Sequence, residues 1–154
     1  MTVNLDDVDW AIIGQLQQEA RISLSELGRR VNLSPSATTE RVRQLETLGV
    51  ISGYRAVVDL AKVGYPVLAV VRLKYPGNHH QPLRRLLAER REILECLRTT
   101  GDDCYTLKVA ATSMGHLEIL MDELAGFGST TTSVVYSQTL PYRGPDRPRP
   151  TAEA

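Results

Sequence analysis

Small hydroxyl, amide and guanidinium side chains recur along one side of the segment 35–48, PSATTERVRQLETL. On a helix of about 100° per residue, one face of this segment carries Ser36, Glu40, Arg43, Gln44 and Thr47. The opposite stripe, expected to pack against the domain's own core, is Thr38, Val42 and Leu45. Hydroxyls near a helix N-terminus, followed by an arginine one or two turns later, suit phosphate anchoring and base-edge hydrogen bonding. Taken alone, the segment leaves open the alternative of an ordinary helical hairpin with a solvated polar face.

Two helices joined by a tight turn must hold that face in place. Ser23 begins a predicted capping box with Glu26, and the first helix is expected to run about two turns to Val31. The turn ends at Ser34, whose hydroxyl is suited to cap the second helix. Gly49 follows that helix as a left-handed C-terminal cap. The order of helix, turn and helix is typical of a hairpin whose second helix lies in the DNA major groove.

A further helix is predicted ahead of this hairpin, over residues 5–20. Asp6 caps it, Asp9 closes the cap, and Leu5 can pack as a staple onto Trp10. The apolar positions expected to cover the hairpin helices are Trp10, Ile13 and Leu16. Three helices of this kind make a small hydrophobic core.

The composition of the 154 residues allows one sizeable domain or two small ones. The formal net charge is zero, but residues 21–55 contain six arginines against three glutamates, a local charge of +3. That field is weak, so DNA affinity should depend on pairing two or more such modules. No long apolar run and no signal-peptide pattern is present, which predicts a cytoplasmic protein without a membrane partner. The two cysteines lack zinc-binding spacing, so neither a metal nor another cofactor is expected.

The second half of the chain alternates strands and helices. Strands are expected over 66–75, 93–99, 105–111 and 130–140, and helices over 82–91 and from Ser113 to Gly126. This β-α-β-β-α-β order predicts an α+β, ferredoxin-like domain with one antiparallel sheet and both helices on one face. Residues 50–60 lie at the position of a wing and are expected to form a short strand pair or an extended arm.

These elements predict a division of the chain into four parts. Residues 1–50 are expected to form the helix-turn-helix domain and residues 51–65 the wing and linker. Residues 66–140 are expected to form the second domain, and residues 141–154, with four prolines, a disordered tail. For that tail, solvation is favoured over phosphate contacts by Arg143, Arg147 and Arg149.

The first strand of the sheet is apolar on both of its faces. Leu68 and Val70 point opposite to Val67, Ala69 and Val71. One sheet face is therefore left without a cover inside the protomer, which indicates an interface. A two-fold dimer through this sheet would present two hairpins to a pseudo-palindromic site.

Residues 5–54 resemble the N-terminal half of the Lrp/AsnC (feast/famine) transcriptional regulators. The shared motifs are L-D-x-x-D, R-I-S-x-x-E-L, N-L-S-P-S, R-V-x-x-L-E and G-V-I-x-G-Y. The second half resembles that family's ligand-sensing and assembly domain through T-G-D-D-C-Y at 100–105 and T-T-T-S at 130–133. The resemblance covers residues 5 to about 140. It implies a winged helix-turn-helix, dimers that often assemble to octamers, and amino-acid effectors that modulate the binding of double-stranded DNA.

The resemblance also implies the site residues. The family's recognition helix corresponds to residues 35–48, and the expected base-reading side chains are Ser36, Thr39, Glu40 and Arg43. Expected phosphate contacts are Ser34, Arg41, Arg29 and Arg30. The expected effector-binding residues are Gly101, Asp102, Asp103, Cys104, Tyr105, Thr130, Thr131 and Thr132. Cys104 stands where the family pattern G-D-x-D has its second aspartate, so only part of the effector site is inherited.

Three alternatives remain open. An enzyme would pair Cys104 as nucleophile with His79, His80 or His116, but no spacing ties these histidines to the cysteine. A ligand-independent DNA-binding or architectural regulator would account for the missing aspartate. A stand-alone amino-acid-binding assembly module would require the N-terminal hairpin to be structural only.

Overall fold

A computed structural model describes residues 3–77, 80–101 and 104–148 of the chain. The described residues form two compact units: one runs up to Val57 and includes the chain from Leu140 onward, and the other is Val58–Thr139. The four-part division expected from the sequence stays a prediction. Among the helices of the described ranges, none combines the length and the apolar character that crossing a membrane requires.

Three helices make up most of the first unit. They are α1 (Asp7–Gln18), α2 (Leu24–Arg30) and α3 (Pro35–Thr47). The cap of α1 is the predicted one, because Asp9 N donates to Asp6 Oδ1 at 2.8 Å and Asp6 N donates to Asp9 Oδ2 at 3.1 Å. The capping box predicted for α2 is only half formed. Glu26 N donates to Ser23 Oγ at 3.1 Å, but the Glu26 side chain turns to two arginines.

The core of the first unit is built around Ile12, Leu27 and Leu45, all of which are fully buried. Ile13 and Leu16 pack against this cluster as predicted. The prediction that Trp10 covers the hairpin is wrong, because Ile12 takes that position. Leu5 and Val8 pack against the same cluster, so that Leu5, Val8, Ile12 and Leu16 follow one another with a spacing of three or four.

The α2–α3 turn depends on close backbone approach. Asn32 adopts a left-handed conformation with φ of 57°, which asparagine tolerates better than most residues. A Cβ on Gly28 would lie 2.7 Å from Thr38 Oγ1 and 2.8 Å from the Leu33 carbonyl oxygen. The glycine therefore allows α2 to contact both the turn and α3.

The C-terminal end of α3 forms the hydrogen-bond pattern of a Schellman motif. Val50 N donates to the Leu45 carbonyl at 2.9 Å and Gly49 N to the Glu46 carbonyl at 3.0 Å. Gly49 has φ of 70°, as the predicted left-handed cap requires. Residues 51–59 then continue without strand pairing, so the strand pair, one of the two alternatives expected for the wing region, is not formed.

The second unit is a four-stranded sheet with two helices. Its elements are β1 (Val67–Lys74), α4 (Gln81–Glu89), β2 (Ile93–Arg98), β3 (Tyr105–Ala111), α5 (Met114–Ala125) and β4 (Ser129–Val134). The strand order is β2-β3-β1-β4, and every neighbouring pair is antiparallel. The predicted ferredoxin-like order is thus confirmed.

The last strand is shorter than the predicted 130–140. Val134 is opposite Ala69 in β1, and Val135 N makes a further hydrogen bond to the Leu68 carbonyl at 2.7 Å. Pro66 lies two residues before Leu68 and has no N–H, so it cannot continue the hydrogen bonds between β1 and β4. The strand therefore ends where its partner begins.

Both helices cover the same face of the sheet. Leu83 of α4 and Leu117, Leu120 and Leu124 of α5 pack against alternate residues of the two central strands. These strand residues are Ala69, Val71, Leu73, Leu107 and Val109. The opposite face carries Leu68 and Val70, as the alternation predicted.

One end of that opposite face is covered by the turn that precedes β1. Leu60, Val63 and Tyr65 of this turn line a small pocket with Leu94 and Ala110. Ala110 is buried as a result. Farther along the same face, Leu97 remains 52% exposed beside Thr106, its partner in register. The face is thus only partly covered within one protomer.

Candidate DNA-binding face and effector turn

The polar face of α3 is exposed, as its periodicity predicted. Ser36, Thr39, Glu40 and Arg43 all lie on the solvent side, whereas Thr38 is fully buried. The Thr39 hydroxyl donates to the Pro35 carbonyl at 2.8 Å. Its proton is therefore engaged within the helix, and its lone pairs remain available as acceptors.

The start of α3 is held by Ser34. Ala37 N donates to Ser34 Oγ at 3.3 Å, and the Ser34 and Ser36 hydroxyls lie 3.2 Å apart. Pro35 has no N–H, and Thr38 N donates to the Ser34 carbonyl at 2.9 Å. Within the described residues, the Ser36 N–H is therefore the donor of this first turn left for an anion, which the helix dipole favours. Ser34 and Ser36 thus lie at the same end of the face.

Arg43 and Glu40 form an exposed ion pair, with 3.1 Å between Arg43 Nη2 and Glu40 Oε1. Exposed pairs of this spacing contribute little to stability. Because its carboxylate partner is held weakly, the guanidinium can exchange it for another hydrogen-bond acceptor at small cost. Arg43 is therefore available for an external ligand.

Arg41 points away from the polar face of α3. Its Nη1 lies 2.8 Å from Asp6 Oδ2 and 3.0 Å from Asp9 Oδ1, at the capped end of α1. The Asp9 N–H first, and then the Arg41 guanidinium, lower the pKa of Asp6 below its ordinary value. Arg41 thus links α3 to α1, and no local spacing predicts a link across 32 residues.

Arg29 and Arg30 both bind Glu26. Arg29 Nη2 is 2.7 Å from Glu26 Oε1, and Arg30 Nε is 2.9 Å from the same oxygen. These two guanidinium groups lower the pKa of Glu26 to about 2. Arg30 also reaches Glu19 at 3.2 Å and Gln15 at 3.1 Å. The helix α2 is thereby tied to the end of α1.

Most of the basic charge of the first unit is therefore engaged by its own carboxylates. Arg29, Arg30, Arg41 and Arg43 each form an ion pair. Within the described ranges of the chain, the two arginines of residues 21–55 that form no ion pair are Arg21 and Arg55. Arg21 and Arg55 are not distinguished from the other arginines by the sequence, because ion pairing depends on which side chains the fold brings together.

Arg55 follows a residue that is attached to α3. The Tyr54 hydroxyl donates to Glu46 Oε1 at 3.0 Å, which holds the segment after α3 against the last turn of the helix. Burial raises the pKa of Tyr54 to about 12, and the Glu46 carboxylate adds to the increase. Glu46 lies three residues after Arg43, at the edge of the polar face. Tyr54 and Arg55 are thus further candidate residues beside that face, and the tyrosine of the G-V-I-x-G-Y motif was their signal.

The candidate effector turn is described only in part. Gly101 has φ of 103°, which suits a glycine, while Asp102 and Asp103 lie outside the described residues. Cys104 is directed to the end of β1. Tyr75 N donates to Cys104 Sγ at 3.4 Å, and the thiol is 3.5 Å from the Tyr75 carbonyl oxygen. Cys104 therefore fastens the turn to β1.

Tyr105 belongs to the core on the helix-covered face. It is 8% exposed, and its hydroxyl is 2.9 Å from His80 Nδ1. Its ring meets that of Tyr75 edge to face, with 6.3 Å between centroids. Of the other histidines considered in the enzyme alternative, His116 lies beside Thr112 and Glu92, and His79 is outside the described residues. Within residues 3–77, 80–101 and 104–148, no three or more His, Cys, Asp or Glu side chains are grouped so that they could hold a metal ion.

The three threonines of β4 do not share one face. Thr130 is opposite Leu73 and Thr132 is opposite Val71, which places both on the helix-covered face. Thr131 is opposite Arg72 and lies on the other face. The Thr132 hydroxyl donates to Met121 Sδ at 3.0 Å. The predicted effector residues are thus divided between two faces of the sheet.

Two family models match the chain, one for each part of the fold. Residues 5–46 match the AsnC-type helix-turn-helix domain, and residues 68–145 match the Lrp/AsnC ligand binding domain. These ranges contain the α3 face and the turn described above.

Relatives of known name match along nearly the whole chain. The HTH-type transcriptional regulator LrpC of Bacillus subtilis is 35% identical over 136 residues, which cover 88% of this chain and 94% of that protein. Its solved structure has a TM-score of 0.84, covering 88% of this chain and 97% of LrpC. A feast or famine regulatory protein from M. tuberculosis, complexed with L-methionine, has a TM-score of 0.87 at 29% identity and covers 94% of this chain and 100% of its own. A transcriptional regulator from Neisseria meningitidis in complex with L-Met has a TM-score of 0.83 at 26% identity, covering 89% of this chain and 93% of that chain.

Proposed function

This chain belongs to the Lrp/AsnC family of transcriptional regulators, and we propose that it reads operator DNA with the exposed face of α3. The observation that carries this proposal is the separation of faces on α3, with Thr38 buried and Ser36, Thr39, Glu40 and Arg43 exposed. An arginine can donate two hydrogen bonds to guanine, and the hydroxyls can accept from or donate to base edges. We assign base reading to these four residues.

The phosphate contacts proposed for this surface differ in part from those expected from sequence. Arg41 is engaged by Asp6 and Asp9, so its main role is to hold α3 to α1. Arg21 and Arg55 carry charge that no carboxylate of the described residues neutralises, which favours them as phosphate contacts. Ser34 and the N-terminus of α3 complete the set, and Arg29 and Arg30 join it by releasing Glu26.

The proposed DNA-binding species is a homodimer formed through the open face of the sheet. Leu68 and Val70 lie on this face, and Leu97 is half exposed there. Burial of this apolar surface by a second copy would pair two weakly charged modules. Assembly of dimers to octamers would extend the same principle, because further half-sites add avidity without new kinds of contact.

The proposed effector is a free amino acid, since two structural relatives carry L-methionine. Its site includes the turn at Gly101 and the adjoining end of β3. Cys104 lacks the charge of an aspartate and bonds to the Tyr75 backbone, so it supports the turn rather than binding an ammonium group. Thr130 is the favoured hydroxyl of β4, because Thr132 already donates to Met121 and Thr131 lies on the other face.

The test of DNA reading is a comparison of two arginine substitutions. An operator is selected from random DNA with the full chain, and affinities are measured by fluorescence anisotropy over a range of salt. Arg43→Ala should weaken operator binding about 5- to 150-fold, with a smaller loss on non-specific DNA. Arg84→Ala removes the same charge from an exposed position of α4 and is the matched control. Equal effects of the two substitutions would rule out α3 as the reading helix.

The effector proposal is tested by calorimetry with the twenty free amino acids, followed by operator titration in the presence of any that bind. A bound effector should change operator affinity, because it can shift the equilibrium only by binding two states unequally. Sedimentation with and without the amino acid reports any change of assembly. Absence of heat with every amino acid, together with unchanged operator affinity, would identify a ligand-independent regulator.

A further inference from the structure

The chain returns to its first unit after β4. Residues 140–148 cluster with the helix-turn-helix unit, although the strand that precedes them belongs to the other unit. Gln17 Nε2, near the end of α1, donates to the Pro145 carbonyl at 3.1 Å. Arg147 forms an ion pair with Asp7, at the beginning of the same helix. We name residues 140–148 the C-terminal arm.

The arm lies on the side of α1 that does not face the core of the unit. Val8, Ile12 and Leu16 pack inward. The other side of α1 forms a groove with residues 145–147 of the arm. Between the polar ends Asp7 and Gln17, this groove is lined by Trp10, Ala11, Gly14 and the edge residue Ile13. Trp10, which is not part of the core of the unit, thus lines the same groove as the arm.

The arm approaches α1 closely at one glycine. A Cβ built on Gly144 would lie 2.0 Å from Gln17 Oε1. The Gln17 side chain therefore passes directly over the backbone of residue 144 to reach the next residue, Pro145. Two polar contacts at opposite ends of α1 and a close approach beside one of them define a specific register for the arm.

The composition of the arm suits this extended binding mode. Its sequence, LPYRGPDRP, has three prolines in nine residues. Proline restricts the backbone of the free arm, so less conformational entropy is lost on docking. The Arg147 and Asp7 side chains are largely exposed. The docked arm should therefore be held weakly and be sensitive to salt.

We propose that the C-terminal arm is a reversible strap that docks on the outer side of α1 and attaches the helix-turn-helix unit to the rest of its own chain at a second point. The first attachment is the linker that follows α3. A helix-turn-helix unit attached at two points moves over a smaller volume than one attached at a single point. Once one unit of a dimer has bound its half-site, the other unit is therefore at a higher effective concentration near the second half-site. That consequence for DNA rests on the proposed function, whereas the docking of the arm does not.

Trp10 reports docking directly, because it is the only tryptophan of the chain. Its emission and its quenching by acrylamide are compared in the full chain and in a chain that ends at residue 139. The truncated chain should emit at longer wavelength and be quenched more strongly. Identical emission and quenching in the two chains would overturn the proposal. Circular dichroism of both establishes that the helical content is retained.

A substitution within the full chain avoids the effects of truncation. Arg147→Gln should shift Trp10 emission in the same direction as truncation, and high salt should shift the unsubstituted chain likewise. Arg143→Gln is the matched control, since it removes the same charge from the same arm at a position with no ion pair in the described part of the chain. An equal response to both substitutions would exclude the specific register.

Two further measurements separate the possible failures. Docking within one chain is independent of concentration, so a Trp10 shift on dilution that follows dimer dissociation would show an arm exchanged between protomers and overturn the strap. The truncated chain should also lose operator affinity, and unchanged affinity would overturn the tethering role. If the full chain binds no operator at all, the proposed function fails, but the Trp10 measurement still decides whether the arm docks.

Discussion

The substitution Gly28→Ala tests the packing that holds the two hairpin helices together. The added Cβ would lie 2.7 Å from Thr38 Oγ1 and 2.8 Å from the Leu33 carbonyl oxygen. Neither neighbour can move easily. Thr38 is fully buried and its hydroxyl donates to the Ser34 carbonyl at 2.9 Å, while the Leu33 carbonyl is part of the turn backbone.

Two opposing effects determine the expected change in stability. Alanine is favoured over glycine inside a helix by about 1 kcal/mol. Overpacking in a well-packed core costs about 1–3 kcal/mol, and contacts on two rigid groups place this site near the upper end. The expected net loss is about 1–2 kcal/mol, which corresponds to a decrease of about 4–16 °C in the Tm of a unit of this size. The angle between α2 and α3 should also change, and operator affinity should fall.

The assay is thermal unfolding of the full chain, followed by Trp10 fluorescence because that residue lies in the helix-turn-helix unit. Gly14→Ala is the matched control, since its Cβ would meet nothing within 4 Å. It should raise stability by about 0.5–1 kcal/mol. If Gly28→Ala is as stable as the original chain, or gains stability as Gly14→Ala does, the close approach at Gly28 is not required for the fold.

Two further predictions concern pH. The pKa of Glu26 is lowered to about 2 from an ordinary value of 4.5. The contribution of its ionised carboxylate to folding stability is therefore present above pH 4.5 and is lost as the pH falls toward 2. Glu26→Gln should therefore lose less stability over that interval in acid unfolding monitored by Trp10, and an unchanged acid profile would contradict the ion pairs with Arg29 and Arg30. The pKa of Tyr54 is raised to about 12 from 10.0. The contribution of its protonated hydroxyl to folding stability is therefore present below pH 10 and is lost as the pH rises through 12. In an ultraviolet absorbance titration, Tyr54→Phe should remove the absorbance of one tyrosinate that forms near pH 12, and a loss near pH 10 instead would contradict the bond to Glu46.

Local patterns predicted most of the elements because their causes are local. The strand β3 has the predicted bounds, and the caps at Asp6, Ser34 and Gly49 form as expected. Each depends on residues within one turn or on strict alternation along a strand. The motif resemblance added the order of the two parts, which the family models confirm.

The errors arose where several side chains compete for one partner. Glu26 could bond to the backbone at Ser23 or to Arg29 and Arg30, and charge-assisted bonds to two guanidinium groups are stronger than one to an N–H. Trp10 and Ile12 are both apolar residues of α1 that could pack in the core. Ile12, the smaller of the two, is the one that is buried, because it lies on the same side of the helix as Val8 and Leu16. Neither outcome follows from spacing alone.

By itself, the sequence determined which face of α3 is polar, which strands alternate and where the chain turns, because these properties depend on neighbours three or four residues apart. Only the tertiary structure decided which of the arginines are held by carboxylates of the chain itself and which remain available for DNA. Arg41 lies on the same helix as Arg43, yet the fold brings it to Asp6 and Asp9, 35 and 32 residues away, while Arg43 stays at the surface. Ion pairing depends on distance in space and on the desolvation around each charge, and neither can be read from the order of residues.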